Sequence, residues 1–336
     1  MKPTLIFILT FFVASFSSGI AQETTAARYL YFQPSPRANA MGGAAVAMEH
    51  SSFEGYNNPA LLGFAPKFSL AGSWQNPLPI MDRNHIYAMA SYSLDTEQAV
   101  SLSANIYTEG THFRIFENGS VGAKYNSNSA LLSATYARVL NRQLSIGASV
   151  GLLKINLTPD NSFTGASGTT TSLLFNAGVL YRNLITEATY TDLESDTANK
   201  TSMYVHKGIS VGMSLSNIGP KIGFKNLTAN DAPSVLTIGA AYSPIRTDLI
   251  GVQVALDLEK RLYDDGLINR IHTGCEVNIL RYVCLRAGYN AGATSSESSY
   301  FTLGGGVSLP FAQLNVARYT KALLPTWQFS ASFFLE

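Results

Sequence analysis

The sequence predicts an all-β protein, an antiparallel transmembrane β-barrel of about fourteen strands with a small helical or irregular hatch from the N-terminus in its lumen. Three observations predict it. After residue 66 the chain alternates apolar with small residues, strand after strand. The alternate positions carry Ser, Gly, Asn and Ala where the wet face of a soluble sheet would carry Lys and Glu. Charged residues make up only 13% of the 336 residues, and they gather between the strands.

Taken in order, residues 1–21 read as an export leader. Lys2 supplies the positive start, Leu5 to Phe16 the apolar core, and Gly19-Ile20-Ala21 a small-x-small cleavage site. The apolar run is shorter than the roughly 20 residues that a membrane-spanning helix needs. An exported chain with lipid-facing strands is expected in a bacterial outer membrane, with lipid as its surrounding partner. Residues 22–66 form the predicted hatch and 67–336 the barrel. Within the hatch, the run 38–48 is small and apolar around Gly42-Gly43, and Asn57-Asn58-Pro59-Ala60 reads as a tight turn.

The strands fall near 67–75, 84–94, 97–108, 129–140, 142–156, 170–183, 207–218, 234–243, 247–260, 268–279, 282–291, 298–309, 310–321 and 325–336. Many are close to the roughly 9–11 residues of a tilted membrane-spanning strand. The period is two throughout: Leu144, Ile146, Ala148, Val150 and Leu152 alternate with Ser145, Gly147, Ser149 and Gly151. Tyr87, Tyr92, Tyr107, Tyr136, Tyr181, Tyr242, Tyr289, Tyr319 and Trp327 lie near strand ends, where rings form interfacial girdles. Ordinary strand propensity would also place Tyr there. Long connectors at 108–129, 157–169, 183–207 and 221–233, against tight links such as 94–97 and 139–142, suggest long loops on the outer side and short turns on the other.

Alternation also assigns faces. Ile271, Thr273, Cys275 and Val277 share the apolar face of one strand, and Val283, Leu285, Ala287 and Tyr289 that of the next. Cys275 and Cys284 therefore face opposite ways and are expected unpaired. The same assignment turns Glu276 and Arg286 inward with His272 and Asp257 close by. This predicts a polar lumen network that holds strands to hatch or water, or else a constriction that touches substrate. Gly304-Gly305-Gly306 lies within a strand pattern and reads as a close-packing or kink feature. The five His residues show no metal-ligand spacing, and neither G-x-S-x-G nor H-E-x-x-H occurs. No enzyme, metal or other cofactor is expected, and a net charge of +1 implies no nucleic-acid partner.

Four stretches carry a resemblance. They are PRANAMGGAAVA (36–47), YNNPALLGF (56–64), GISVGMSLSNIGPKI (208–222) and LRAGY (285–289). In this order they resemble PorV- and PorQ-type outer-membrane proteins of the FadL-like barrel superfamily. The resemblance marks Arg37, Met41, Gly42, Gly43, Asn58, Pro59 and Ala60 as the hatch motif, and Asn217, Gly219 and Pro220 as a strand-and-loop signature. It implies a fourteen-stranded barrel with a lumenal hatch and two tasks. One is an accessory role in type IX protein secretion and surface attachment, with secretion proteins or cargo as partners. The other is FadL-like passage of a hydrophobic small molecule, with a pocket near Phe113, Ile115 and Phe116. A structural barrel without passage is the third reading. Motif similarity favours the first.

Overall fold

The computed structural model describes residues 25–49, 53–78, 82–115, 118–157, 168–185, 208–225, 228–247, 249–294, 297–321 and 324–335. Fourteen antiparallel strands close into one barrel, each bonded to its chain neighbours and the first to the last. They are β1 (Phe68–Leu78), β2 (Arg83–Ser93), β3 (Gln98–Ile115), β4 (Val121–Val139), β5 (Leu144–Asn156), β6 (Thr169–Ile185) and β7 (Gly208–Ile218), followed by β8 (Val235–Arg246), β9 (Ile250–Arg261), β10 (Arg270–Ile279), β11 (Val283–Gly292), β12 (Tyr300–Leu309), β13 (Ala312–Lys321) and β14 (Leu324–Leu335). An even strand count brings Phe68 and Leu335 opposite each other at one end, here called the base; the other end is the mouth.

The alternation resolves into two unlike faces. Outward aliphatic and aromatic chains stay exposed, Leu102 at 68% and Phe301 at 77%, as a lipid-contacting belt requires. Inward positions are small and polar: Ser145, Ser149, Ser210 and Ser214 are buried on the lumen side. No helix among the described residues is long and apolar enough to cross a membrane. Backbone satisfaction in lipid falls to the closed ladder instead, which leaves no edge strand.

The lumen is filled by the segment before β1. A 3₁₀ turn (Arg28–Tyr31), a short helix (Pro36–Ala40), a helical turn (Glu54–Asn57) and a second 3₁₀ turn (Pro59–Phe64) run from mouth to base. At the mouth, Thr25 bridges to Asp231 of the β7–β8 connector. Near the base, the Pro59–Phe64 turn packs on β4, β5 and β6, while Pro36–Ala40 packs on β11, β12 and β13. The buried apolar clusters lie between this segment and the wall; one joins Met41, Val46, Leu61 and Phe64 to Val139, Leu180 and Ala255.

Three sequence expectations need correction. Residues 108–129 are not a long connector, because β3 and β4 run on to 18 and 19 residues. The register slips between Thr108 and Thr111, where Gly110 takes φ +81°. A bulge there flips the faces, so Tyr107 is buried inside while Phe113 and Ile115 are exposed, and simple alternation loses the strand. The connector expected at 183–207 joins β6 to β7, which places its ends at the base beside the short turns; residues 186–207 lie outside the described residues. Finally, Tyr87, Tyr107 and Tyr319 are not girdle residues but buried lumen ones. Outward rings such as Tyr92, Tyr136, Tyr242 and Trp327 remain exposed.

Candidate functional site

The hatch is hung from the wall by charge and by backbone hydrogen bonds. Ser35 caps the helix Pro36–Ala40, with its side chain accepting from Ala38 N, and Pro36 fits the first helical position, where no N–H is needed. The cap aims Arg37 at β10. Arg37 Nε donates to Glu276 Oε2 at 2.8 Å and Nη2 to Oε1 at 2.9 Å, a two-pronged pairing. Arg286 Nε of β11 donates to the same Oε2 at 2.5 Å. Arg37 also reaches Glu49 O at 2.7 Å and Gln253 Oε1 at 3.1 Å. Nearer β6, Arg182 pairs with Glu49 at 3.3 Å and lies over the Phe64 ring at 3.8 Å.

Beyond the helix, Gly42 and Gly43 take φ +72° and +100°, a turn that L side chains resist. It presents Gly42 O to Asn290 Nδ2 at 3.0 Å, with His272 Nδ1 at 2.9 Å, and Gly42 N donates to Thr302 Oγ1 at 3.0 Å. Asp257 Oδ2 then accepts from Ala45 N at 2.7 Å and Val46 N at 2.9 Å. Asn58 caps the turn Pro59–Phe64 by accepting from Ala60 N, and its Nδ2 donates to Val46 O and Val179 O. Strand glycines make the close approach possible. Cβ atoms at Gly147, Gly212 and Gly274 would collide with the backbones of Pro59, Val46 and Met41.

Above this floor lies a cavity of about 380 Å³. Its roof is the stretch 30–33, held by Tyr56, whose hydroxyl lies 2.8 Å from Leu30 O and 3.1 Å from Phe32 O. Tyr29 stacks on Tyr107 beside it at 5.1 Å. Its lining mixes the rings of Tyr31, Phe32, Tyr56 and Tyr87 with the hydroxyl and amide groups of Ser103, Asn105, Thr135 and Thr237. The side toward the mouth is ionic. Asp257, Glu259 and Arg261 share the inward face of β9 because alternate strand residues point the same way. Arg261 pairs with Glu259 at 3.1 Å, with Asp264 at 3.5 Å and with Glu297, and Arg270 pairs with Glu297 and Asn290. Arg261 also lies 4.2 Å over the Tyr31 ring. Burial pushes the Tyr31 hydroxyl up to about 12, against the opposing pull of Arg261, so it is protonated at neutral pH.

The structure therefore gathers Asp257, His272, Glu276 and Arg286 on the lumen face of neighbouring strands, and sets them against Arg37, Gly42 and Val46 of the hatch. Glu276 lies directly opposite Arg286, and Cys275 opposite Ala287, so Cys284 points to the lumen side and Cys275 away from it. Met41 and Ala60 are fully buried and Pro59 is buried. Gly304 leaves room for Ala40, whose Cβ would otherwise lie 2.5 Å from an added one. Phe113 and Ile115 are exposed and do not line the cavity; Phe116 lies outside the described residues.

Asn217 serves a bulge. The register shifts between Phe175 and Ala177 of β6, and Asn217 there takes φ +57°. Its N–H donates to Asn176 Oδ1 at 2.5 Å and its carbonyl accepts from Ser234 Oγ at 2.9 Å. A Cβ at Gly219 would lie 2.5 Å from Leu173 O, and Pro220 is exposed. Asn217→Gly is expected to be nearly neutral, whereas Asn217→Val should lose about 1–2 kcal/mol from forcing a β-branched residue into the left-handed region. The temperature at which the folded gel band gives way to the unfolded one measures both.

Sequence reasoning missed Gln253, Glu259, Arg261, Arg270, Glu297 and the tyrosines under the roof. The first three sit on the same alternating face as Asp257, so that signal was present.

No family model matches the chain, and no curated protein matches it in sequence. Solved structures do match its shape. The toluene transporter TodX of Pseudomonas putida aligns at 13% identity with a TM-score of 0.53, covering 89% of this chain and 96% of that one. The monoaromatic hydrocarbon channel CymD gives 13% and 0.53 over 89% and 95%. A FadL homologue of Pseudomonas aeruginosa gives 10% and 0.52 over 90% and 98%. The likeness is one of fold alone, the β-barrel that this chain shares with them.

Proposed function

We propose that this chain is a hatch-closed conduit for small molecules, exported by the leader 1–21 and seated in the outer membrane. The cavity between the hatch and the barrel wall carries the proposal. A barrel built only as a scaffold needs no chamber of about 380 Å³ with mixed aromatic and polar walls, whereas a small-molecule path needs a stopping place of this order. Two of the structures that share its fold are a toluene transporter and a monoaromatic hydrocarbon channel, which supports a cargo of single-ring size. Passage requires the hatch to shift, since its turns fill the lumen on the base side of the chamber.

The secretion-accessory reading takes second place. Its support is the motif resemblance, and in this structure Arg37, Met41, Asn58 and Pro59 are buried in the lumen and engaged with the wall. They make a hatch rather than a surface for a protein partner. Deleting the gene is expected to slow uptake of small aromatic solutes and leave the surface proteome unchanged. Normal uptake together with lost surface proteins would reverse the order of the two readings.

A further inference from the structure

We infer that the outer wall holds one phospholipid with an ammonium-bearing zwitterionic headgroup, a phosphatidylethanolamine, in a groove on the base side of β1 to β6. The inference is independent of the lumen and needs only that the barrel sits in lipid. A cavity of about 800 Å³ opens on the outward face there. Antiparallel pairing sets Tyr92 and Tyr136 on either side of Val100 nearest the base, and Ala134 between Leu102 and Val150 in the row beyond. The short side chains of Ala134 and Ala148 are exposed and leave the hollow, while Tyr92, Tyr136 and Phe175 stand out around it.

The shape selects a flexible chain as occupant. The wall of a closed barrel is convex, so the same wall of a second copy cannot fill a hollow in it, whereas a hydrocarbon tail bends to fit. Neighbouring tails are as apolar as the groove, so a lasting contact comes from close packing and from the headgroup. Toward the base the groove runs out at Tyr136, whose hydroxyl donates to Gln98 Oε1 at 2.7 Å, as a ring at the polar interface does. Arg138 follows on the same outward face, about 7 Å further along β4. It meets Glu97 at 3.9 Å, and both side chains are more than half exposed, at 54% and 60%. So open an ion pair contributes little, and exchanging it for two lipid charges costs little. A phosphate on Arg138 and an ammonium on Glu97 match both partners at once. Lys67, Asp95 and Arg142 are the other charges at this end of β1 to β5 among the described residues. With Arg138 and Glu97 they make three cations against two carboxylates, a near balance that suits a zwitterion over an anionic headgroup. An ammonium with N–H donors also bonds a carboxylate where a trimethylated one cannot.

The test titrates the full chain in detergent with matched dioleoyl lipids, phosphatidylethanolamine, phosphatidylcholine and phosphatidylglycerol, and reads the adducts by native mass spectrometry. One phosphatidylethanolamine is expected to bind about fivefold more tightly than either other lipid, the scale of one exposed ion pair. Glu97→Gln should erase the margin over phosphatidylcholine. Ala134→Phe, at an exposed position of the wall, should weaken the first adduct of every lipid by filling the groove. Ala148→Leu repeats that test if Ala134→Phe loses the folded band on an unheated gel. Equal or tighter binding of either other lipid, no saturable first adduct, or a first adduct untouched by the filling variants overturns the inference. A dimer that the filling variants abolish gives the groove to a second copy and overturns it too. None of these substitutions touches the lumen, so failure here leaves the conduit reading where it stands.

Discussion

Replacing Glu276 by alanine is expected to unseat the hatch and open the barrel. The carboxylate of Glu276 is the shared counter-ion of Arg37 from the hatch and Arg286 from β11, and all three side chains are buried. Removing it leaves two guanidinium groups facing one another in a site closed to water. Breaking a buried pair in this way costs about 3–5 kcal/mol, most of it from the charge left uncompensated. The barrel wall has fourteen ladders to hold it, whereas the segment 36–49 depends on Glu276, Asp257 and the Gly42 contacts, so the loss falls on the hatch. Conductance in planar bilayers should rise while the folded band on an unheated gel persists. Arg37→Met provides the contrast. It leaves Glu276 paired with Arg286 at 2.5 Å, so its effect should be smaller. Replacing Arg37, Glu276 and Arg286 together by apolar residues should recover much of the loss. Equal effects of Glu276→Ala and Arg37→Met, or unchanged conductance in both, would show that this cluster does not hold the hatch.

That cluster also shows how far the sequence could be read. Alternation put Glu276 and Arg286 on the inner face of consecutive strands, and the hairpin has the register this required, with no bulge. It could not name Arg37 as their partner, because Arg37 lies 239 positions from Glu276 and the pairing exists only once the barrel closes around the hatch. Period-two patterning reports a face, never what stands against that face. It fails outright where the backbone adds a residue. Beyond Gly110 the parity of β3 inverts, and Phe113 and Ile115, read as residues of a loop pocket, become outward strand positions. The inward tyrosines were misread for a related reason. Tyr87 and Tyr107 sit on the same face as Ser91, Ser101 and Asn105, so parity already placed them in the lumen, and proximity to a strand end was the weaker signal.

The glycines of the wall lead to the second large effect. Gly274→Val is expected to displace the hatch as strongly as loss of Glu276, through shape rather than charge. An added Cβ at Gly274 would lie 2.5 Å from both Cα and O of Met41, and backbone atoms cannot swing aside as a side-chain tip can. Met41 itself is fully buried and is followed by the two positive-φ glycines, so the chain has little freedom to back away. Overpacking of this kind costs about 1–3 kcal/mol in an ordinary core, and more where the obstacle is main chain. Gly72 on β1 is the control: a Cβ there meets nothing closer than Tyr87 O at 3.8 Å. Gly72→Ala should be neutral or slightly stabilising, since alanine loses less conformational entropy in a strand than glycine. Thermal midpoints and bilayer conductance of the two variants, measured side by side, separate the explanations. If Gly274→Val leaves conductance unchanged, the hatch is held loosely enough to yield to a side chain. If Gly72→Ala is as damaging as Gly274→Val, glycine serves strand flexibility throughout the wall and not the fit of the hatch. The expected result, damage at Gly274 alone, would mean that the small residues of 38–48 and the glycines facing them form one surface: each can be small only because the other approaches so closely.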